Sequence, residues 1–344
     1  MTDVTERNQT TVRDKPATAP VSTPAGPIGA RILRKEDTRF LIGAGQYTDD
    51  IKLANQTYAC FLRSPYAHAR IRGPVRTQLA KKMPGVLAVY TAADLPASVG
   101  GLPCGWLITG ADGQPMKEPK HPLLAQGKVR HVGDPVALVV AESYEQARDA
   151  TERIEIDYEE LPAVVDVRDA LKSGAPVVHD EAADNVCYVW SLGDRAAVDA
   201  AFARAVHVTT LEFVNNRLIP NAIEPRACNA MYSRGDESYT LYVGNQNPHV
   251  ERLLMAAFVL GIPEHKLRVI APDVGGGFGS KIFLYAEETL CVWASKLVGR
   301  PIKWTAERSE SFLCDAHGRD HYTQAELALD GEGKFLAMRV KTVA

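Results

Sequence analysis

Short apolar runs bounded by glycine, proline and polar clusters recur along this chain, and they read as strands alternating with helices. Residues 56–63 and 135–141 (PVALVVA) have the length and apolar content of strands, the second as a continuous run of the kind a fully buried strand shows. Ser143 with Gln146 three residues later has the form of a capping box and predicts a helix over about 143–152. Residues 153–158 then alternate, with Ile154 and Ile156 between charged neighbours, as in a half-buried strand.

The second half repeats this pattern more strongly. Residues 207–214 and 238–243 read as strands, and 248–260 as a helix with Val250, Leu253, Leu254, Ala257 and Phe258 on one face. Asn247 is placed to cap that helix, Pro248 to occupy its first position, and Gly261 with Pro263 to stop it. A strand follows at 267–271 and a helix at 283–298, whose expected face is Phe283, Ala286, Leu290, Ala294 and Leu297, closed by Gly299 and Pro301. Glu287 and Glu288 fall in its first turns, where negative charge favours the helix dipole, and so carry no sign of paired-carboxylate catalysis. Gly331–Gly333 predicts a hairpin turn, with 335–344 as the returning strand.

The alternation makes a mixed α/β (α+β) protein, and 344 residues exceed what one core usually covers. Residues 1–28, rich in Thr, Ala and Pro, read as a disordered arm. Folded structure is expected over 34–165 as a first domain with its own core, then a loop-like linker over 166–190 and a second domain over 191–344.

Composition narrows the classes. With 46% hydrophobic and 24% charged residues and a net charge of −3, the chain has no basic footprint for nucleic acid. Its longest apolar runs fall far short of the roughly 20 residues a membrane helix needs, and no signal-peptide pattern opens it. The six cysteines form no CxxC pair, which argues against a zinc or iron–sulfur site and for a reducing compartment. His317 and His321, in HGRDH, are four apart but lack the HExxH glutamate; they read as polar residues at a loop-to-strand junction, with Arg319 and Asp320 as a local ion pair.

The chemistry concentrates at residues 273–281 (DVGGGFGSK), where glycines separate a strand from a helix. Such a loop lets backbone N–H groups approach a ligand closely, and Gly277 in particular is expected to need close approach or positive φ. It matches neither Walker A, since Ser280 precedes Lys281, nor GxGxxG. A tight structural turn is the alternative.

GGGFG followed by a lysine and a helix containing AEE resembles the loop of the xanthine dehydrogenase / aldehyde oxidase / carbon monoxide dehydrogenase large subunits. RKEDTRFLIGAGQYTDDI resembles that family's entry into its α/β hammerhead domain, and NNRLIPNAIEPRA its N-R-x-x-P-x-x-x-E-P-R signature. GNQNPHVERLLMAAFVLGIPEHKLRVIAPDVGGGFGSK is similar to the bacterial carbon monoxide dehydrogenase type throughout. The likeness covers about residues 34–344, in one order. It implies a hammerhead domain followed by the first part of a molybdopterin-binding domain.

The resemblance also implies the chemistry. Molybdenum would be held by the dithiolene of molybdopterin cytosine dinucleotide (Mo-MCD), with no protein side chain as ligand. Gln246 would correspond to the glutamine that bonds an oxygen ligand of the metal, and Gly276, Gly277, Phe278 and Gly279 to the loop lining the cofactor. A neutral amide suits that role because it donates without adding charge; alternatively, Gln246 is a loop residue whose amide bonds neighbouring backbone. The activity implied is oxidation of carbon monoxide, an aldehyde or an N-heterocycle with water-derived oxygen. Electrons would leave through a small subunit carrying [2Fe-2S] and a medium subunit binding FAD, in a dimer of heterotrimers in the cytoplasm or at the inner face of the cytoplasmic membrane. Family members are more than twice this length. Their catalytic glutamate and substrate loop fall beyond residue 344, so the chain reads as a fragment expected to be inactive alone, or else as a truncated, non-catalytic scaffold.

Overall fold

A computed structural model of the chain describes Gly26 and residues 28–344, so the arm read over residues 1–28 lies almost wholly outside the described residues. Up to Gly45 the chain forms one short helix, Asp37–Leu41, and Gln46–Ala344 forms a separate unit.

In that unit the first half contributes β1 (Thr57–Arg63), β2 (Ala69–Arg76), β3 (Val86–Thr91), β4 (Lys128–Val129), β5 (Pro135–Ala141) and β6 (Glu155–Glu160). The second half contributes β7 (His207–Asn215), β8 (Ala227–Ser233), β9 (Ser238–Val243), β10 (Leu267–Ile270), β11 (Ile302–Thr305), β12 (His321–Leu329) and β13 (Phe335–Val343). Three sheets result, ordered β10-β9-β8-β11-β1-β5-β3, β13-β12-β7 and β4-β2-β6. β5 is buried along its whole length, as its unbroken apolar run requires, between antiparallel β1 and β3. The helix Tyr144–Thr151 starts where expected, with Ser143 Oγ accepting from the Gln146 N–H and the Gln146 side chain accepting from the Ser143 N–H.

The seven-stranded sheet crosses the expected boundary. β1 pairs in parallel with β11, Thr57 opposite Ile302, and one core holds Ala59, Phe61, Leu138 and Val140 together with Leu241, Met255, Leu290 and Trp304. Phe61 meets Trp304 edge to face at 5.9 Å. The linker divides the chain but not this core, although the first half also holds two smaller clusters of its own, one around Val89, Val139 and Ile154 and one around Ala69, Val129 and Val136. The shared core follows from a strand pairing across 245 positions, which no local pattern records.

The helix at Pro248 also departs from its expected form. It is α-helical over Pro248–Leu253 and widens to a π-helix over Leu254–Leu260 before left-handed Gly261 ends it. Its buried face is Glu251, Met255, Ala256 and Val259, whereas Val250, Leu253 and Phe258 are exposed. Residues 253–260 are apolar all round, so the apolar pattern does not single out one face, and Glu251 turns inward. Asn247 makes no side-chain cap; its N–H donates to Asn245 Oδ1.

Glu251 and Glu288 are both almost wholly buried, and each is the other's neighbour in the core. Burial pushes Glu288 up to about 8 against the opposing pull of Arg226, and pushes Glu251 well above its usual value, helped by Glu288. A pKa raised on folding contributes stability that is whole below the unfolded value and is lost as pH rises through the folded one. The urea midpoint of the chain is therefore expected to fall between about pH 5 and about pH 9. The Glu251→Gln/Glu288→Gln double variant should lose that slope. An unchanged slope would mean that the pair stays ionised.

Candidate functional site

The glycine loop leaves the end of β10 and is tied down at once: the Asp273 N–H donates to Gln46 O (3.1 Å), and the Gln46 N–H to Asp273 Oδ2 (2.7 Å). It then passes through left-handed backbone at Gly276 (φ 100°), Phe278 (φ 50°) and Gly279 (φ 95°). Gly277 is not left-handed, contrary to one of the two reasons expected for it. The close approach seen here is to a side chain of the protein itself: a Cβ at this position would lie 2.3 Å from Gln246 Oε1. A three-residue 3-10 turn, Ser280–Ile282, separates the loop from the helix Ala286–Val298, so the helix dipole is not at the loop itself.

Gln246 and the loop are held as one unit. The Gln246 N–H donates to Lys281 O (2.8 Å), and Gln246 Oε1 accepts the Gly279 N–H (3.0 Å). Because a backbone N–H can only donate, this bond fixes which end of the amide faces the loop. The Nε2 donors are left available at an exposed position. Among the described residues the N–H groups of Gly276, Gly277 and Phe278 also have no partner, and the Phe278 ring is 74% exposed. The arrangement offers neutral donors around a surface from which side chains have been removed.

Two residues given no role from the sequence make this possible. Glu224 Oε2 accepts from the Gly275 N–H (2.7 Å) and from Lys281 Nζ (2.8 Å), with Lys281 almost wholly buried. A Cβ on Gly275 would stand 2.5 Å from Glu224 Cβ, so glycine is needed there for the carboxylate to reach the backbone. The available signals were the glutamate of EPR and the lysine closing GGGFGSK.

Arg226, two residues on, turns into the core. Its Nε donates to Asp315 (2.5 Å), its Nη1 to Glu287 (3.0 Å) and its Nη2 to Cys314 Sγ (3.1 Å), while its plane lies 3.6 Å from the Tyr285 ring centre. Arg63 of β1 completes the cluster through Glu287 (2.7 Å) and Glu310 (2.6 Å). Burial works to raise the Glu287 carboxyl, yet Arg226 and Arg63 together hold it well below the usual range. Glu287 is thus an ion-pair centre inside the protein and not a solvent-side dipole partner.

The HGRDH segment lies at a loop-to-strand junction, as expected, but Asp320 pairs with Arg217 (3.2 Å) instead of Arg319, and Arg217 Nε also donates to His317 Nδ1 (2.9 Å). The larger of the clefts described, about 720 Å³, is lined by residues 163–169, 172–176, 214 and 320–322 and includes no residue of the glycine loop. No described helix is long and apolar enough to cross a membrane.

Fold and loop together define a cofactor-binding protein of the molybdopterin class. Residues 42–162 match the aldehyde oxidase and xanthine dehydrogenase a/b hammerhead domain, and residues 178–344 match the molybdopterin cofactor-binding domain. The chain belongs to the xanthine dehydrogenase / aldehyde oxidase / carbon monoxide dehydrogenase family, as a portion carrying these two domains. It is 38% identical to the nicotine 6-hydroxylase large subunit of Paenarthrobacter nicotinovorans, over 91% of this chain and 37% of that one. It is 37% identical to the carbon monoxide dehydrogenase large chain of Hydrogenophaga pseudoflava, over 91% and 39%. Quinoline 2-oxidoreductase from Pseudomonas putida 86 superposes with a TM-score of 0.82 at 36% identity, over 90% of this chain and 38% of that one. Carbon monoxide dehydrogenase from Oligotropha carboxidovorans gives 0.81 at 36% identity, over 91% and 39%. The chain therefore spans well under half the length of these relatives.

Proposed function

We propose that this chain is the front part of the large subunit of a molybdenum hydroxylase and that the Gln246–glycine loop unit faces a bound molybdopterin cytosine dinucleotide. The observation that carries the reading is the bond from the Gly279 N–H to Gln246 Oε1, which commits the amide oxygen and leaves its donors free beside three unpartnered backbone N–H groups. The residues fit the group: glycine at 277 lets the Gln246 amide lie against the loop, and the donors suit an electron-rich, oxygen- and sulfur-bearing ligand. When bound, the cofactor supplies the oxidative hydroxylation chemistry.

What the chain supplies is placement. Glu224 and Lys281 fix the loop, the loop fixes Gln246, and Gln246 offers a hydrogen bond without a charge. Carbon monoxide, an aldehyde or an N-heterocycle are the substrate classes, and a [2Fe-2S] small subunit and an FAD-binding medium subunit are the electron-accepting partners in a dimer of heterotrimers. The relatives named for carbon monoxide and for nicotine support two of these substrate classes, and those named as a large subunit, a large chain or a subunit gamma support the presence of further subunits.

In the complete subunit Gln246→Ala is expected to leave assembly and molybdenum content nearly intact and to lower turnover on the order of a hundredfold, the usual effect of removing one aimed donor. Gln246→Glu should fall as far, because a carboxylate accepts the Gly279 N–H equally well but cannot donate. Full turnover of either variant at normal cofactor content would make Gln246 a turn residue only.

A further inference from the structure

Outside the glycine loop and its supports, one group of ligand-type side chains converges among the described residues: His121, His131 and Asp134, whose ligand atoms all lie within 4.8 Å of one another. His121 comes from the segment that bridges to Leu102, and the other two from the turn that leads into β5. None of the three belongs to the loop, to Gln246 or to the Glu224–Lys281 pair.

The spacing separates two explanations. His121 Nε2 stands 3.4 Å from Asp134 Oδ1, and His131 Nδ1 stands 3.9 Å from Asp134 Oδ2. Both are long for hydrogen bonds to a buried carboxylate, which close to about 2.7–3.2 Å. Bonds of about 2.0–2.2 Å in tetrahedral array put neighbouring ligand atoms roughly 3.3–3.6 Å apart, which the His121 distance matches and the His131 distance, to the other carboxylate oxygen, exceeds by a few tenths of an ångström. The two rings meet edge to face, at 5.8 Å between centres, so each turns a different nitrogen edge towards the acid.

The backbone is fixed in advance. The Gly133 N–H donates to Ser64 O and the Ser64 N–H to Asp134 O, both at 2.9 Å, while the Asp134 N–H donates to His131 O (3.2 Å). Gly133 sits at φ 99° with Leu313 against it, so the turn has little room to shift. The Arg130 N–H donates to Asp134 Oδ2 (3.0 Å) and orients the carboxylate, as outer partners of metal ligands do. Arg63 also reaches this turn, donating to Gly133 O (3.1 Å), but Glu287 and Glu310 already balance its charge. The Asp134 side chain is 3% exposed, whereas His121 and His131 are 47% and 41% exposed. An ion would thus find a fixed buried acid below, two adjustable imidazoles beside it, and water on the open side.

We propose that His121, His131 and Asp134 form a binding site for a divalent first-row transition metal. Two imidazoles and one carboxylate suit zinc, cobalt or iron(II) and disfavour magnesium and calcium, which take oxygen ligands. The reading is independent of the one made for the glycine loop.

The test is calorimetric titration of the full 344-residue chain with Zn²⁺ alone, with Co²⁺ visible absorption as a second readout. One Zn²⁺ per chain is expected, with Co²⁺ bands typical of mixed nitrogen and oxygen ligation. His121→Ala and His131→Ala should each weaken binding roughly tenfold to a hundredfold, and the double variant should abolish it. His265→Ala, an exposed histidine elsewhere, should change nothing. Both ligand histidines are half-exposed, so folding is expected to survive, and circular dichroism of each metal-free variant confirms it. His131→Gln, which keeps a polar side chain at the site, gives an independent second loss. Saturable binding that persists in the double variant, or no saturable binding by the unaltered chain, overturns the assignment.

Discussion

Arg226→Met is expected to cost about 3–5 kcal/mol of folding stability, the range for breaking a buried ion pair by removing one partner. The side chain is 1% exposed and serves three acceptors at once, on Glu287, Asp315 and Cys314, while its plane covers Tyr285. Methionine fills part of the volume and satisfies none of them. Asp315 would then keep a buried charge without its partner, and Glu287 would depend on Arg63 alone. Arg226→Lys should recover little, because one ammonium cannot replace a planar fork reaching three directions. Arg70→Met, which breaks the half-exposed pair with Glu159, sets the scale and should change stability by less than about 1 kcal/mol. Urea unfolding of the three variants checks this; a loss for Arg226→Met no larger than that for Arg70→Met would show that water reaches the cluster.

The same cluster shows how far the sequence could be read. Local signals were legible because they act over three or four residues: the Ser143–Gln146 capping box, the glycine stops at 261 and 299, the hairpin at 331–333 and the unbroken apolar run of β5 all lie where their patterns put them. The glycine loop and Gln246 were legible as motifs, and the structure brings them together through two hydrogen bonds. What escaped depends on partners far away in the chain. Glu287 looked like a helix-start acid because nothing nearby announces Arg63, 224 positions earlier. The buried place of Glu251 escaped because only the tertiary fold supplies Glu288 as its neighbour. The π-helix escaped because widening the turn leaves no mark in a stretch that is apolar on every side.

Glu224 and Arg226 join these two levels. They flank Pro225 at the entrance to β8. Glu224 reaches the glycine loop and Arg226 the buried ion cluster. Stability of the core and placement of the loop are thus set by neighbouring positions of a single segment, although the residues they bind lie 51 and 61 positions away.

Gly277→Val in the complete subunit is expected to abolish molybdenum loading while leaving the fold standing. The usual reason for a glycine, a left-handed backbone, does not apply at this position, so valine meets no such strain. The obstacle is spatial: the first carbon of any side chain would lie 2.3 Å from Gln246 Oε1, which is the mobile end of a flexible side chain. The amide can swing away, at the loss of one hydrogen bond worth about 1 kcal/mol. Stability should therefore fall only slightly, since no loop residue belongs to the core that the two halves of the chain share. The swing displaces the donors of Gln246 that the proposed site aims at the cofactor, and puts two methyl groups in their place. Gly276→Val separates the two effects, because there the backbone is at φ 100° and the strain itself should cost roughly 1–3 kcal/mol. Molybdenum per subunit and the urea midpoint are the measurements. Normal molybdenum in Gly277→Val would show that the cofactor does not approach this loop, whereas a large stability loss in the same variant would show that Gln246 cannot move and that the loop serves the core first.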